Sequence, residues 1–438
     1  MSTTALIDYA KYDSYKDSGI NELGQIPERW ELLSNKHIFS IKSSRVGKKS
    51  EDYDLLSLTL KGIVKRDMEN PQGKFPAEFD TYQEVKAGDF VFCLFDVEET
   101  PRTVGLSEFD GMITGAYTVL EVSPDFDKTF IYYFYLNLDN EKKLKPLYRG
   151  LRNTIPKDWF MSYKTFIPTY KEQIAIANFL DQKTIQIDQA INLKQRQIEQ
   201  LNEYKQIVIQ NVVTKGLDAN AKMKNSGIDW LGDIPEAWEI KKLKFLTSKI
   251  GSGVTPSGGG TTYIDNGVPL LRSQNIHFDR ISLDNVARIS EFVHNSMGNS
   301  KVQKGDVLLN ITGGSLGRCY YNSLDIELNV NQHVCIIRPN EKVDSVFLNY
   351  LLASNIGQQQ IWFFQQGGGR EGLNFQNLKN FDFPLPSKSE QLVLVKYIDE
   401  QVNVINRAMN SQKEQIERLK EYKTILINQA VTGKIKVC

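Results

Sequence analysis

One helical seam is written twice in this chain, and that repetition limits the available folds more than any other feature. From Ile185 to Val213, residues Ile187, Ile191, Lys194, Ile198, Leu201, Lys205, Val208 and Val212 follow one another at alternating spacings of four and three. This is the a/d pattern of a helix that lies against another helix. Adding 218 to each number reaches Ile405, Met409, Gln412, Ile416, Leu419, Lys423, Leu426 and Ala430, so the same seam recurs near the C-terminus. The partner helix is therefore expected within the chain. Both copies carry the string Gln-Ile-Glu-x-Leu-x-Glu-Tyr-Lys, at Gln197–Lys205 and Gln415–Lys423, and neither has Gly or Pro inside the seam. A lysine stands at the same a position in each, Lys205 and Lys423, a substitution that gives up stability and fixes register.

The repetition extends to the rest of the chain. Lys16 to Glu31 reads Lys-Asp-Ser-Gly-Ile-Asn-Glu-Leu-Gly-Gln-Ile-Pro-Glu-Arg-Trp-Glu, and Lys224 to Glu239 repeats it with few changes at an offset of 208. Gly88-Asp89 matches Gly305-Asp306 at 217; Gly150-x-Arg152 matches Gly368-x-Arg370, and Glu172-Gln173 matches Glu390-Gln391, at 218. The drift puts about nine extra residues of the second copy between Trp238 and Gly305. Four regions follow: a first domain over 1–168, a helical region over 169–217, a second domain over 218–386 and a second helical region over 387–438. The spacing predicts strands in Asp89–Phe95, Tyr117–Val122, Asp306–Ile311 and His333–Ile337. Pro168 and Pro386 each close a strand-like run (Tyr163–Ile167, Phe381–Leu385) and precede Glu-Gln helix starts. Phe130–Leu136 and Phe347–Leu352 fit strand or helix, and the second copy favours a short helix. The fold class is α/β (α+β). If the helices pack antiparallel, they hold the domains at opposite ends with pseudo-twofold symmetry. A seam of about 29 residues spans roughly 43 Å, slightly more than one turn of duplex DNA.

At 438 residues the chain exceeds one core. No run approaches the length of a membrane span and the first residues are polar without a signal-peptide core, so a cytoplasmic protein is expected. Cys93, Cys319, Cys335 and Cys438 form no C-x-x-C pair and the four histidines are scattered, which argues against a zinc site. The net charge of zero makes any polyanion site a local patch.

Known catalytic signatures are missing. Gly313-Gly314-Ser315-Leu316-Gly317-Arg318 lacks the spacing and lysine of a phosphate-binding loop, and Gly251-Ser252-Gly253 begins no dinucleotide fingerprint. Asp125 with Glu141 and Lys143 imitates a metal-dependent nuclease, and the second copy has no equivalent. The glycine-rich loops of the second copy, Ser252–Thr262, Thr312–Arg318 and Gln365–Gly372, are flanked by groups able to read bases or hold phosphate: Arg272, Ser273, Gln274, Asn275, Asn310, Thr312, Arg318, Gln365, Gln366, Arg370 and Asn374. The first copy offers Lys42, Arg45, Lys48, Lys49, Lys61, Arg102, Arg152 and Lys157. Against them stands the bland reading of exposed turns, and residues 51–100 are acidic. Trp30, Trp238 and Trp159 are expected to be packing residues, as are Tyr204 and Tyr422 beside the seam.

With these repeats laid out, the chain resembles type I restriction-modification specificity subunits. The resemblance is carried by Lys16–Trp30 and Lys224–Trp238, the string Gly305-Asp306-Val-Leu-Leu-Asn-Ile-Thr-Gly-Gly-Ser-Leu-Gly-Arg318, Gly368–Asn374 and the two Pro-x-x-x-Glu-Gln helix starts. It covers essentially the whole chain in the order domain, helix, domain, helix. It implies two target recognition domains with twisted sheets, each reading one half of a split asymmetric DNA site. It further implies an antiparallel coiled coil that fixes the gap and docks two adenine-N6 methyltransferase subunits, to which motor endonuclease subunits can add. This chain would perform no chemistry and hold no cofactor, with S-adenosylmethionine, ATP and Mg on the partners. Cys93–Gly105 departs from the Asn-Ile-Thr-Gly-Gly series of the second copy, as expected of domains that diverge with the sequence they read. The rival readings are a protein-binding coiled-coil adaptor and a stand-alone nuclease using Asp125, Glu141 and Lys143.

Overall fold

The computed structural model describes residues 9–19, 24–68, 79–256, 258, 260, 263–365 and 372–437. Among them no helix is long and apolar enough to cross a membrane. The chain forms two compact units, one holding the residues up to Lys194 with those from Glu414 onward, the other Gln195–Lys413. The two long helices, Tyr170–Lys215 and Lys388–Val431, each contribute to both units. They are longer than the seam because their first turns belong to the domain that precedes them.

In the first unit a four-stranded antiparallel sheet has the order Phe39–Lys42, Thr118–Val122, Phe90–Phe92, Val104–Leu106. The second unit builds the same sheet from Thr247–Ser252, Val334–Pro339, Val307–Asn310 and Cys319–Tyr321. The expected strands therefore form in both copies. The repeated Gly-Asp lies at the turn into a buried strand: Gly88 and Gly305 have φ of +90° and +89°, a region open to glycine at little cost. The following aspartate closes the turn and takes a cation. Asp89 accepts from Lys86 N at 2.7 Å and Lys42 Nζ at 2.7 Å; Asp306 accepts from Gln303 N at 2.7 Å and Arg338 Nε at 2.7 Å. The segments of ambiguous pattern are helical in both copies, Lys128–Asn140 and Ser345–Ala353, and are capped by Asp127 and Asp344.

The copies differ beside this shared sheet. The second unit carries a further four-stranded sheet, in which Val268–Leu271 pairs in parallel with Leu328–Val330. It lies largely in the stretch that holds the extra residues. In place of that sheet the first unit has the antiparallel pairs Leu56–Thr59 with Gly62–Lys65 and Gln83–Val85 with Gly111–Ile113.

Each core is built from a domain, the start of the helix that follows it and the end of the other helix. In the first unit Trp30, Phe90, Phe130, Phe134 and Phe166 pack with Ile176 and Leu180, and with Leu426, Ile427, Ala430 and Val431. In the second, Trp238, Phe347, Phe381 and Phe383 pack with Leu394 and Ile398, and with Ile209, Val212 and Val213. Burying one such large aliphatic side chain contributes about 1.5 to 3 kcal/mol. The helices run antiparallel within the first unit, because Lys423 pairs with Asp188 at 2.7 Å while Lys194 donates to Gln415 at 2.5 Å. Every seam position is buried or half-buried, while Glu199, Glu203, Glu417 and Arg418 face solvent. The two a-position lysines differ in surroundings. Asp188 becomes Asn406 at the equivalent place, and burial pushes the Lys205 ammonium below its ordinary pKa.

The repeated Glu-Gln also has a structural cause. Trp30 Nε1 donates to Glu172 at 3.2 Å and Trp238 Nε1 to Glu390 at 3.0 Å. The glutamine joins the helix start to its domain: Gln173 accepts from Asp127 N at 2.9 Å and donates to Pro168 O at 3.0 Å. Gln391 accepts from Asp344 N at 2.7 Å and donates to Pro386 O at 3.0 Å. Trp30 and Trp238 are core residues, as expected. Trp159 is not: it is 47% exposed, with the Arg149 guanidinium 3.8 Å above its ring. Tyr422 packs on the first core, whereas Tyr204 is exposed and contributes no such packing.

Gln391→Ala removes a buried side chain and leaves the half-buried Asp344 amide without its acceptor, and is expected to cost about 1 to 3 kcal/mol. Lys420→Ala removes only an exposed pair with Glu417 and is expected to cost under about 0.5 kcal/mol. Urea unfolding of the two variants measures the contrast.

Candidate nucleic-acid interface

Antiparallel register decides which loops meet. In the second domain Ser252 lies opposite Cys335, Asn310 opposite Val334, and Leu309 opposite Cys319. The chain leaving Ser252, the loop from Asn310 to Arg318 and the turn before Val334 therefore share one end of the sheet. Two further segments join them. Asn310 Nδ2 donates to Ser273 O at 2.8 Å, which brings in Arg272–Asn275. Leu373 N donates to Ile311 O at 2.9 Å, which places the return from the third glycine-rich loop.

Most of the sequence-predicted residues of this domain are thus gathered at one place, with different tasks. Asn275 is buried, accepts from Arg272 N at 2.9 Å and donates to Ser282 O at 3.1 Å. Asn275 and Asn310 therefore fasten loops, in place of the open base-reading role expected for them. Gln274 is exposed and Ser273 half-buried. Arg272 holds its guanidinium 5.7 Å from the Tyr263 ring centre, and its Nε is buried without a partner among the described residues. Arg318 is half-buried and makes no ion pair or side-chain hydrogen bond among the described residues. Thr312 Oγ1 lies 2.7 Å from His333 Nδ1. Gln365 ends the helix Asn355–Phe364. Asn374 caps Phe375–Lys379 by accepting from Asn377 N at 2.8 Å. Gln366 and Arg370 lie outside the described residues.

In the first domain the corresponding end is bounded by Lys42, Phe92, Val104 and Thr118. Arg45, Lys48, Lys49 and Lys157 are exposed, and Lys61 is exposed in the turn between Thr59 and Gly62. Arg152 is exposed and paired with Asp96, whose carboxyl it holds below the usual carboxylate range. It lies 5.8 Å from the Phe95 ring, which stacks on Tyr117 at 5.9 Å. Lys42 and Arg102 are used internally. Lys42 closes the Asp89 turn, and Arg102 lies 3.1 Å from Asp139, a carboxylate that is 3% exposed and also accepts from Thr103 N at 2.9 Å.

The three residues of the nuclease reading each have a partner of their own. Lys143 pairs with Glu141 at 2.5 Å, and Glu141 accepts from Asn428 of the second long helix at 3.1 Å. Asp125 accepts from Ser123 Oγ at 3.2 Å. Among the described residues no three of His, Cys, Asp or Glu gather as a metal-binding group. Burial pushes the Cys319 and Cys335 thiols up to about 12, so they stay protonated at neutral pH.

Sequence reasoning passed over Gln332 and His333. The pattern placed His333 at the start of a strand that begins at Val334, and only the sheet register shows that the pair stands beside Thr312 and the chain after Ser252.

The family model for the type I restriction modification DNA specificity domain matches residues 235–418. The chain is 30% identical over 313 residues, 70% of each protein, to the type I restriction enzyme MjaVIII specificity subunit of Methanocaldococcus jannaschii. It is 26% identical over 411 residues, 88% of this chain and 81% of the relative, to the type I restriction enzyme EcoBI specificity subunit of Escherichia coli. Among solved structures it is similar to a chain from work on complex assembly and conformational transition of the type I R-M system, with a TM-score of 0.67 at 14% identity. That likeness covers 93% of this chain and 99% of the other. The HsdS subunit of Thermoanaerobacter tengcongensis is similar with a TM-score of 0.50 at 15% identity, over 93% and 98%. Both likenesses are of fold.

The two arginines are expected to separate in a stability measurement. Arg102→Ala removes a cation from buried Asp139 and should cost roughly 1 to 3 kcal/mol in urea unfolding. Arg318→Ala breaks no pair among the described residues and should stay within about 0.5 kcal/mol of the parent.

Proposed function

We propose a DNA-reading role for this chain, which belongs to the family of type I restriction enzyme specificity subunits. Each domain reads one half of a split, asymmetric DNA site, and the two long helices set the unread gap and dock two adenine-N6 methyltransferase subunits. Motor endonuclease subunits can join that complex. The observation that carries this reading is where the two copies differ. They share the order of the four-stranded sheet, turn chemistry and helix starts, and they diverge in the strands beside that sheet and in the loops at one of its ends. There the second domain presents Arg272, Gln274 and Arg318, and the first presents Arg45, Lys48, Lys49 and Arg152. A common frame with unlike polar tips suits two readers of unlike sequences. Arginine reads guanine edges and amide side chains read adenine, while lysines hold phosphate.

The chain itself performs no chemistry under this reading. Methyl transfer from S-adenosylmethionine and ATP- and Mg-dependent translocation belong to the partners, in the cytoplasm. The charge balance fits this division, because partners can supply positive surface around the duplex.

Mapping N6-methyladenine across the genome of a host with and without this gene, its methyltransferase partner held constant, tests the role. A split motif that disappears with the gene is expected, and four residues inserted after Val208 should lengthen its gap while both half-sites stay the same. An unchanged methylome with an active partner would overturn the DNA-reading role, and an unchanged gap would overturn the spacing role.

A further inference from the structure

Gln332 and His333 stand at the sheet end where the second domain gathers its polar loops. Gln332 is exposed, yet its amide is held at both ends. Thr255 Oγ1 donates to Oε1, and Nε2 lies 3.1 Å from His333 Nε2. His333 Nδ1 in turn lies 2.7 Å from Thr312 Oγ1. With Gln332 donating to Nε2, that nitrogen is the bare one, and the imidazole proton sits on Nδ1, directed at Thr312.

The turn that carries the pair is fixed by its backbone. His333 N donates to the Asn331 side chain at 3.1 Å, Asn331 N to Leu271 O at 3.1 Å, and Ile311 N to His333 O at 3.0 Å. Thr255 reaches Gln332 because Gly253 has no side chain: a Cβ there would lie 1.7 Å from Val330 O and 2.8 Å from Asn331 O. Only glycine permits that approach of one strand end to the other.

A glutamine amide has two N–H donors and two acceptor lone pairs. Thr255 and His333 engage one acceptor and one donor, and one of each stays open to solvent on the same planar group. Turning the amide over exchanges the roles at both contacts and still leaves one donor and one acceptor. In the major groove, adenine presents the complement, N7 as acceptor and N6–H2 as donor, and a glutamine reads the two together. An amide already held by two neighbours gives up less side-chain entropy on binding than a free one.

We propose that Gln332 is an adenine-reading residue of the second domain, and that His333, with Thr312, is a positioning residue that fixes the plane of its amide. This rests on the DNA-reading role proposed above. The device is private to the second domain. At the offset of 217, Gln332 and His333 correspond to Gly115 and Ala116, which carry no hydrogen-bonding side chain, and the adjacent Phe95–Tyr117 stack gives the first domain another chemistry.

The test compares the methylation motif of the parent complex with those of Gln332→Ala, Gln332→Glu and His333→Ala, supported by anisotropy titrations on the parent site and on sites substituted at one base pair. Gln332→Ala is expected to reduce discrimination at a single A·T pair of one half-site by roughly 5- to 150-fold, with the other half-site and the gap unchanged. Gln332→Glu, which loses its donor, should shift that position toward cytosine. His333→Ala should relax the same position while the urea midpoint holds. A motif unchanged in Gln332→Ala overturns the proposal, as does an equal loss of affinity on every sequence, which marks a phosphate contact. A parent complex with no split motif would instead overturn the DNA-reading role itself, and this assignment with it.

Discussion

The second long helix ends inside a core it did not begin in, and the first helix does the same. Leu426, Ile427, Ala430 and Val431 are as deeply buried beside Trp30 and Phe166 as the domain's own strands. Ile209, Val212 and Val213 stand likewise beside Trp238 and Phe383. Neither domain therefore completes its apolar interior from its own contiguous sequence. Contacts more than 200 residues apart must form for either core to close, and loop-closure entropy makes such contacts slow to form. The seam between the helices continues this packing at moderate strength, since several of its positions are only half-buried.

This reciprocal packing accounts for what the repeats retain. Trp30 and Trp238, Glu172 and Glu390, and Gln173 and Gln391 bind the helix starts to the domains, and Gly88-Asp89 and Gly305-Asp306 turn the chain into the central strand. The tryptophan–glutamate and glutamine–aspartate contacts repeat with both partners, whereas the aspartate of each Gly-Asp turn takes its cation from a different strand, Lys42 in one copy and Arg338 in the other. The loops at the sheet end are free of that constraint and differ between the copies. Symmetry is also relaxed within the seam, where Lys423 has Asp188 while Lys205 has no carboxylate within ion-pair distance among the described residues.

Much of this frame was legible in the sequence because its signals are local and periodic. The a/d spacing located the seam, the offset of 218 located its partner, and proline followed by Glu-Gln located both helix starts. The loops proposed to read DNA were legible only as loops. Arg102 looks like any exposed arginine until Asp139 arrives from a helix 37 residues away, and Asn310 looks like a base reader until it is seen holding Ser273. Gln332 and His333 were missed for the opposite reason, since nothing near them in sequence shows that Thr255 and Thr312 stand on either side. Glu141 and Lys143 imitated a nuclease because sequence carries no sign of Asn428 across the fold. Trp159 was misjudged because an aromatic ring predicts burial only where the chain path supplies a core.

The central claim is that each domain reads one half of the site while the helices set the spacing. Exchanging residues 243–381 for the equivalent stretch of another specificity subunit, and mapping the resulting N6-methyladenine motif, tests this most directly. The retained Trp238 and Glu390 stay in place, as do both helices. One half of the motif should change, with the other half and the gap intact. A change in both halves or in the gap would contradict the claim that reading and spacing reside in separate parts of the chain.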